Sequence, residues 1–421
     1  MSWYSDNNVK SRYLDPRIYV PNRRATFELD SAESAYLTNL RLTFLGVTSS
    51  AAHNYNDLVG CASLIRSIRL LDGKQELSVL NEAQFWRGFQ NQNKPNAVAE
   101  KVDSNLGRTA VGLSILGSNG FINRIAGRFP ADTGAAGNPS SSAFIDLTEM
   151  LPFLRAATHL PTDVFRNLRL EIEFNVSDQV VNNTTAVLNT IRPVLAVDVI
   201  ENPKIVDSLN KQMNVVNWSE IEHDQFVIPQ SANDGGPQDQ GIVQNVNIKL
   251  NGYNNKIVDR FLIAKEIGNS AKEVTGANVV TGYGKFSSQC CYNQTAQFRV
   301  NGMNILPRNG MVGNNERLAH VCDTWGDCAN YPGSNLYGIA SDVLMTDGLQ
   351  FRGQLDYIGV YFGKYIQDLQ VEYSRTGLQA GAGANVKRAT TDLLIAHCYA
   401  EVRKQFQMLP NGQYRISYIQ E

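Results

Sequence analysis

LTNLRLTFLGV at residues 37–47 and VQNVNIKLNGY at residues 243–253 share one pattern of side chains at a constant offset of 206 positions. The alternation of apolar and polar residues in both stretches is typical of a β-strand with one buried face. The aligned apolar pairs are Leu37/Val243, Leu40/Val246, Leu42/Ile248 and Phe44/Leu250. A chain that repeats a strand half its length away indicates a duplicated unit.

Four further pairs of segments support the duplication, because they occur in the same order in each half. Any single pair could arise from the common composition of short strands. Their offsets lie between 199 and 230 residues, and such a period is far longer than that of solenoids or propellers, so it predicts two copies of one domain. The pairs are FELDS (27–31) with FVIPQS (226–231), RLLDGKQEL (69–77) with RVNGMNIL (299–306), NLRLEIEF (167–174) with DLQVEYSR (368–375), and LAVDVIE (195–201) with IAHCYAE (395–401).

Strands dominate the rest of the pattern, as short runs rich in Val, Ile, Leu, Phe and Tyr and bounded by Gly, Asn, Asp or Pro. The predicted strands are Ala25–Leu29, Leu37–Val47, Leu64–Leu71, Asn167–Phe174, Pro193–Ile200, Gln225–Pro229, Val243–Tyr253, Asp259–Lys265, Ala296–Val300, Leu355–Phe362, Asp368–Tyr373, Leu393–Val402 and Tyr414–Ile419. Helices are predicted at Asn81–Gln90 and Asp207–Met213, with a helical turn before Arg23.

Long polar loops at 131–143, 231–241 and 377–386 join some of these strands. Short strands with long connections favour a Greek-key sandwich over an up-and-down barrel, and eight strands in two packed sheets form a jelly roll. We therefore predict an all-β fold of two tandem eight-stranded jelly rolls with few short helices. The expected inner faces carry Leu40, Leu42, Phe44, Val246, Ile248 and Leu250. The predicted divisions are an N-terminal arm at 1–22, a first jelly roll at 23–204, a linker at 205–220 and a second jelly roll at 221–421.

The charge and cysteine content exclude several classes of function. The net charge is −2 and no Lys or Arg run exceeds the pair Arg23–Arg24, so the chain lacks the clustered cations that grip nucleic acid. No apolar run reaches the ~18 residues of a membrane span. The N-terminus has no apolar core of a signal peptide, and the six cysteines form no CxxC pair. We expect a chain made in a reducing cytosol, with free thiols.

A doubled jelly roll could also be a bicupin enzyme, which binds a metal through an HxH pair and a carboxylate. None of the five histidines, His53, His159, His223, His320 and His397, belongs to an HxH motif. The nearest candidate ligand clusters are Glu222-His223-Asp224 and His320 near Cys322, which we interpret as surface or satisfied core groups. We predict no catalytic, cofactor-binding or metal-binding residue.

Other chemistry-bearing groups also have a structural interpretation. Cys322 and Cys328 have no zinc-site spacing, and adjacent Cys290 and Cys291 are interpreted as buried thiols. GLQAGAGANV at 377–386 lacks the order of a phosphate-binding loop and is expected to be a surface loop. The remaining pair, Glu171 and Glu173, is expected on the solvated face of one strand.

Aromatic residues are concentrated in two places. Phe85 and Phe89 share a stripe of the first predicted helix, with Trp86 beside them, and core packing is the expected role, with a contact between subunits as the alternative. Trp3, Tyr4 and Tyr13 in the N-terminal arm have no evident core, so we expect them to order against a neighbour or a membrane face.

The LPTDVFRNLRLEIEF run at 160–174, its counterpart DLQVEYSRTG at 368–377 and the LIRSIRLLDGKQEL…NEAQFW segment resemble the double jelly-roll major capsid proteins of the tectivirus–adenovirus lineage. Among these, the chain is most similar to the Polinton-like virus and virophage branch. The resemblance covers almost the whole chain from Arg24 to Ile419. It carries no catalytic signature, so it implies a structural protein rather than an enzyme.

The resemblance also implies an assembly. Three two-lobed chains would form a trimer with six lobes, a pseudo-hexameric capsomer that tiles the icosahedral shell of a double-stranded DNA virus. The implied partners are other copies of the chain, minor capsid and penton proteins and, in many relatives, an internal membrane, with no sequence-specific nucleic acid binding and no cofactor. The implied location is the virion, after synthesis in the host cytosol. The alternatives are a trimeric spike or carbohydrate-binding β-sandwich protein and a bicupin enzyme.

Overall fold

The computed structural model describes residues 9–29, 35–49, 60–92, 108–111, 123–126, 143–175, 188–210, 215–229, 243–267, 295–307, 310–312, 314–325, 357–376, 394–409 and 413–420. The first lobe is defined here as residues 9–200 and the second lobe as residues 215–420. Each of the predicted strand runs overlaps an observed strand. The long loops predicted at 131–143, 231–241 and 377–386 lie almost wholly outside the described residues.

The first lobe is built from two five-stranded antiparallel sheets. One sheet has the order β1-β12-β4-β10 with β9 also paired to β4, and the other has the order β2-β3-β11-β5-β6. A separate ribbon joins β7 to β8. The strands are β1 (Lys10–Leu14), β2 (Ile18–Val20), β3 (Arg24–Glu28), β4 (Tyr36–Ser49), β5 (Ile65–Asp72), β6 (Gln75–Leu80), β7 (Arg108–Val111), β8 (Asn123–Ala126), β9 (Ala143–Asp146), β10 (Leu160–Pro161), β11 (Leu168–Phe174) and β12 (Leu188–Ile200), and the helices are α1 (Ala83–Gln92) and α2 (Pro152–Ala156).

The second lobe follows helix α3 (Pro203–Asn210) and also has two sheets. Their orders are β13-β21-β15-β19, with β22 on β21, and β14-β20-β16-β17, with β18 on β16. The strands are β13 (Val215–Ile228), β14 (Val243–Lys249), β15 (Lys256–Ile267), β16 (Thr295–Val300), β17 (Met303–Asn304), β18 (Met311–Val312), β19 (Ile358–Ile366), β20 (Leu369–Thr376), β21 (Leu394–Met408) and β22 (Tyr414–Tyr418), and the helix is α4 (Asn314–Trp325).

The two lobes have the same topology. If β2, β9, β18, β22 and the separate β7–β8 ribbon are set aside as additions, each lobe has eight strands whose sheets run first-eighth-third-sixth and second-seventh-fourth-fifth along the chain. Two four-stranded sheets connected in this way form a jelly roll. The predicted fold of two tandem jelly rolls is therefore confirmed.

The topology corrects the alignment that first suggested the duplication. Strand β4, which contains residues 37–47, is the third strand of its lobe and corresponds to β15, whereas residues 243–249 form β14, the second strand. The pairing of 27–31 with 226–231 is also wrong, because it matches a second strand with a first. The other three pairs do align equivalent strands: β5–β6 with β16–β17, β11 with β20, and β12 with β21.

The equivalent hairpins both place left-handed residues in a two-residue turn. The turn between Val300 and Met303 is Asn301-Gly302, with φ of 52° and 81°, whereas the turn between Asp72 and Gln75 is Gly73-Lys74, in which Gly73 has φ of 58°. The side-chain oxygen of Asn301 accepts from the backbone N of Gln367 at 2.7 Å, and Asp72 accepts in the same way from the backbone N of Asn167 at 2.8 Å. Each turn therefore anchors the start of the neighbouring seventh strand.

The predicted inner faces are largely as expected. Leu40, Leu42 and Phe44 are buried in the first lobe, as are Val246 and Leu250 in the second, while Ile248 is half-buried. In β11 the pattern alternates strictly, with every second residue from Leu168 buried. This alternation is expected where two sheets pack face to face, because every second side chain of a strand then points into the core.

Three local predictions differ from the structure. The segment before Arg23 holds β1 and β2 rather than a helical turn, because Lys10–Leu14 pairs with β12 and Ile18–Val20 pairs with β3. Residues 215–220, predicted as linker, already form the start of β13 through a continuous ladder with β21. The predicted second helix at 207–213 begins earlier, at Pro203.

Candidate functional site: the lobe junction

A region rich in aromatic and ionisable side chains joins the two lobes and is called the lobe junction. It is formed by β6, α1 and α2 of the first lobe against β13, β15, β21 and α4 of the second. None of the backbone ladders in the described ranges pairs a strand of one lobe with a strand of the other. The lobes are therefore held together there by side chains, and one hydrophobic core runs through the first lobe into this contact.

Helix α1 supplies one half of an aromatic cluster. Its sequence places Phe85, Trp86 and Phe89 on the buried side, which confirms the predicted core packing. Trp86 and Phe89 each lie with their ring centroid 5.3 Å from that of Trp325 in α4. Edge-to-face pairs of this kind are worth ~0.5–1.5 kcal/mol beyond the apolar area that they bury. Helices α1 and α4 occupy equivalent places in the two lobes, so the duplicated elements meet each other.

A second aromatic cluster extends the junction toward the C-terminal strand. Phe153 of α2 packs against Trp218 of β13, with ring centroids 4.9 Å apart. Phe165 contacts both Phe406 and Tyr414, at 5.7 and 5.3 Å. Strand β22 is thus fixed to the first lobe as well as to its own sheet.

Glu220 is a fully buried carboxylate in the junction. It accepts hydrogen bonds from Ser78 Oγ at 2.8 Å and from the backbone N of Val79 in the first lobe, and from Trp218 Nε1 at 2.7 Å in the second. Burial raises the pKa of Glu220 to about 7, because desolvation outweighs these donors and the charge of Lys404. The group therefore titrates near neutral pH.

A chain of hydrogen bonds connects three ionisable side chains of the second lobe. His397 Nε2 lies 2.9 Å from a carboxylate oxygen of Glu266, and His397 Nδ1 lies 3.0 Å from His223 Nε2. Because a carboxylate only accepts, a neutral His397 carries its proton on Nε2 and accepts from His223 at Nδ1. Phe85 of the first lobe stacks on His397, with centroids 4.3 Å apart. We call these three side chains the histidine relay.

The surroundings of the histidine relay disfavour charge on His223. Burial, followed by the neighbouring His397, lowers the pKa of His223 to about 3. The His223 ring also contacts Tyr399, whose hydroxyl donates to the backbone oxygen of Glu82 in the first lobe at 2.6 Å. The His223 imidazole is therefore neutral at neutral pH.

The C-terminal strand adds polar contacts to the junction. Tyr414 donates from its hydroxyl to Asp72 of the first lobe at 2.8 Å, and Tyr418 donates to Glu222 at 2.8 Å. Lys256 also reaches Glu222, at 2.5 Å, and Lys404 lies 3.3 Å from it. Of these contacts, the Tyr414–Asp72 hydrogen bond joins the two lobes, whereas those to Glu222 lie within the second lobe.

The candidate metal ligands that the structure describes are engaged with other groups. Glu222 bonds to lysines and Tyr418, His223 bonds to His397, and Asp224 accepts from the backbone N of Gln225. No group of three or more metal-ligating side chains comes together within the described residues. His320 lies on α4, while His53 and the side chain of its neighbour Cys322 fall outside the described residues.

The other chemistry-bearing candidates occupy structural positions or cannot be placed. Glu171 and Glu173 lie on the outward face of β11, as the sequence indicates. Cys398 is a free thiol, and burial raises its pKa well above the usual range. The side chains that fall outside the described residues include Cys61, Cys290, Cys291, Cys328, Trp3 and Tyr4.

A cavity of about 360 Å³ lies beside β4 in the first lobe. Its polar lining is engaged within the protein: Thr38 Oγ1 donates to the backbone oxygen of Thr158 at 2.9 Å, and Asn39 Nδ2 donates to Asp198 at 2.9 Å. His159 Nδ1 lies 2.8 Å from Thr158 Oγ1. These contacts leave the cavity without a cluster of converging reactive groups.

Several apolar side chains of the lobes remain exposed. Tyr13 on β1 is 72% exposed, and Ile18 and Tyr19 of β2 are also exposed. In the second lobe, the side chains of Met303 and Tyr361 are exposed as well. Among the helices that the structure describes, none is both long and apolar enough to cross a membrane.

Comparison with known proteins gives matches in structure only. No family model and no curated protein matches the sequence. VP54 of PBCV-1, fitted into a cryo-EM reconstruction of the virophage Sputnik, aligns with a TM-score of 0.60 at 10% identity, covering 100% of this chain and 99% of that one. The mavirus major capsid protein aligns with a TM-score of 0.55 at 8% identity, covering 98% of this chain and 90% of that one.

The chain has the double jelly-roll capsid protein fold. The Faustovirus major capsid protein shares it as well, with a TM-score of 0.53 at 8% identity over 97% of this chain and 92% of its own. These alignments cover both lobes of the chain. Because identities are this low, the likeness establishes the fold, and the function requires its own argument.

The sequence pattern predicted helix α1 but not helix α4 or the histidine relay, which lie against it. Helix α4 could have been recognised from Leu318, Val321 and Trp325, whose spacing of three and four residues marks one helix face. The histidine relay carries no local signal, because His223, Glu266 and His397 come from three different strands.

Proposed function

We propose that the chain is the major capsid protein of a double-stranded DNA virus, and that it trimerises into pseudo-hexameric capsomers. The observation that carries the proposal is the alignment of the entire two-lobed chain with capsid proteins over nearly their full length.

The lobe junction suits this role for a physical reason. A trimer of two-lobed chains mimics a hexagon only if the two lobes of each chain keep a fixed relative position. Trp86, Trp325, Phe153 and Trp218 form a continuous apolar contact, and Tyr414 and Glu220 add hydrogen bonds across it. Such a contact resembles a domain core more than the polar interface of two mobile domains.

The proposal includes the chain's divisions, partners and location. We propose that the two lobes are its two domains, joined by the segment that contains α3, with the N-terminal residues contributing strands to the first. The partners are two further copies in the trimer, neighbouring capsomers, and minor capsid and penton proteins, with an internal membrane facing the base. The chain is a non-enzymatic virion component made in the host cytosol, and it binds no specific nucleic acid sequence.

Negative-stain electron microscopy of the purified full-length chain tests this proposal. Particles with a hexagonal outline and three-fold symmetry, packing edge to edge into sheets or shells at high concentration, are the expected result. Dispersed two-lobed monomers at every concentration would overturn it, as would an elongated trimer of spike form with no lateral packing. Because no lobe is isolated in this experiment, a failure cannot be attributed to a truncated chain.

A further inference from the structure

One edge of β4 in the first lobe is closed by an interrupted strand. The ladder with β9 covers Arg41 to Phe44, and the ladder with β10 covers only Tyr36 and Leu37. Because β12 occupies the other edge of β4 and both short strands run antiparallel to β4, β9 and β10 lie along the same edge. Residues 147–159, which contain α2, separate them, and residues 38–40 of β4 lie opposite the interruption, outside both ladders.

The second lobe shows how the equivalent edge is closed when the strand is continuous. Strand β15, the equivalent of β4, pairs with the single strand β19 from Lys256 to Ile263, with one register shift. In the first lobe, the segment that interrupts the strand is used in the lobe junction instead, where Phe153 packs against Trp218. The cavity of about 360 Å³ described above lies at the interruption, because Thr38, Asn39 and Leu40 contribute to its wall.

The wall of this cavity is mainly apolar. Buried side chains from three sides form it: Leu40 of β4, Leu154 and Ala157 of the interrupting segment, Leu160 of β10, and Ile200 at the end of β12. A dry cavity of about 150 Å³ with walls of this kind already accommodates benzene. The cavity at the interruption therefore has room for an indole ring.

Val9 places the N-terminal residues at this cavity. Its side chain is part of the lining, and the next residue, Lys10, starts β1 by pairing with Val199. The eight residues before Val9 lie outside the described ranges and read MSWYSDNN. An aromatic pair, Trp3-Tyr4, is thus separated from the cavity wall by the four residues SDNN.

The sequence SDNN favours a reversal of the chain. Ser, Asp and Asn are among the residues that dominate turns, and four residues suffice for a β-turn. A turn at residues 5–8 would return Trp3 and Tyr4 to the cavity that Val9 lines. The charges are complementary as well, because Asp6 in this stretch is acidic and the exposed Arg155 contributes a cation to the lining.

We propose that residues 1–8 fold back onto the first lobe of their own chain, with the indole of Trp3 in the cavity and Tyr4 at its mouth. The short tether to Val9 gives this segment a high effective concentration at its own cavity, which favours it over the same segment of a second copy. The docked segment covers residues 38–40 of β4, and covering a sheet edge hinders pairing with strands of other chains. The inference concerns the single chain and does not depend on what the chain assembles into.

Quenching of tryptophan fluorescence by iodide tests this docking on the full-length chain. Trp86, Trp218 and Trp325 are buried in the lobe junction, and an ion such as iodide does not enter an apolar core. Trp3 is the fourth tryptophan. If its indole lies in the cavity, the wild-type chain is quenched very little, and Trp3→Phe is quenched equally little.

Two adjacent alanines provide a matched pair of variants. Ala157→Phe introduces a ring from the cavity wall and should displace Trp3, so that about one tryptophan in four becomes accessible to iodide. Adding Trp3→Phe to this variant should abolish the new quenching. The control is Ala156→Phe, at an exposed residue outside the lining, which should behave as the wild type. If Ala157→Phe does not fold, as judged by circular dichroism, Thr158→Phe at the exposed rim replaces it.

Co-expression of two variants decides which copy of the segment is docked. One chain carries Ala157→Phe and keeps Trp3, and the other carries Trp3→Phe and keeps an open cavity. If Trp3 docks only in its own chain, the mixed sample shows the average of the two separate quenching curves. Quenching below this average would mean that Trp3 enters the cavity of a second copy.

Three results would overturn the proposal. The first is a wild-type chain in which iodide quenches a fraction of the fluorescence that Trp3→Phe removes, since Trp3 is then in water. The second is a folded Ala157→Phe or Thr158→Phe chain that is quenched no more than the wild type, since Trp3 is then buried elsewhere. The third is the loss of quenching in the co-expressed sample.

Discussion

The indole rings of Trp86 and Trp325 lie edge to face with their centroids 5.3 Å apart, and they join the equivalent helices of two duplicated lobes. Each indole comes from the helix that follows the fifth strand of its jelly roll. The duplication therefore produced two similar units and also placed corresponding elements in contact. Stability of the chain should depend strongly on this contact.

Replacing either indole should destabilise the chain more than any surface change. Trp325→Ala is expected to lower the free energy of unfolding by ~3–5 kcal/mol, because it leaves a cavity among Trp86, Phe89 and the strands beneath. Urea unfolding followed by circular dichroism measures the loss. Met303→Ala, at a residue that is 62% exposed, is the control and should change the value by at most ~0.5 kcal/mol.

Tyr414 should stabilise the chain through its hydroxyl as well as its ring. Tyr414→Phe keeps the packing against Phe165 and Phe406 but removes the donor to Asp72, and a loss of ~1.5–3 kcal/mol is expected for a bond to a charged acceptor. The same urea experiment measures it. If Asp72→Asn in the Tyr414→Phe background costs as much as it does in the wild type, the two side chains are not coupled across the junction.

Glu220 should impose a pH dependence on global stability. Its raised pKa means that folding takes up a proton between pH 4.5 and about 7, so this group favours the folded state less as the pH rises through that window. Its contribution to the slope is at most about 1.4 kcal/mol per pH unit. Glu220→Gln should remove that contribution from the pH profile of chemical denaturation. An identical profile in the variant would show that Glu220 does not titrate there.

Two arginine ion pairs should differ sharply in how much they contribute to the free energy of unfolding. Arg87 is fully buried and lies 2.5 Å from Glu149, whereas Arg403 is exposed and pairs with Asp259 at 2.6 Å. Arg87→Ala should cost ~3–5 kcal/mol, because it removes a fully buried side chain, breaks its ion pair with Glu149 and opens a cavity. Arg403→Ala should cost at most ~1 kcal/mol, and less in high salt. Equal losses would contradict the burial of Arg87.

Sequence patterning predicted the architecture but not the register of the duplication. Residues 37–47 and 243–253 look alike because any strand with one buried face alternates in the same way, so the pattern cannot distinguish a third strand from a second. The matched hairpins at Asp72-Gly73 and Asn301-Gly302 aligned correctly, because a turn that needs left-handed residues is more specific than alternation.

The lobe junction was beyond prediction for a different reason. Phe85, Trp86 and Phe89 identified a buried helix face, but the residues that cover it, such as Trp325 and Tyr399, are more than 200 positions away. Glu220 and His223 lie in a segment that was assigned partly to a linker. Their unusual environment depends on tertiary contacts that leave no local trace.

The native mass of the purified full-length chain, measured by size-exclusion chromatography with light scattering, tests the central claim most directly. One chain is 46.6 kDa, and the account predicts a stable species of three chains, about 140 kDa, that persists on dilution. A monomer or dimer at every concentration would contradict the proposed capsomer.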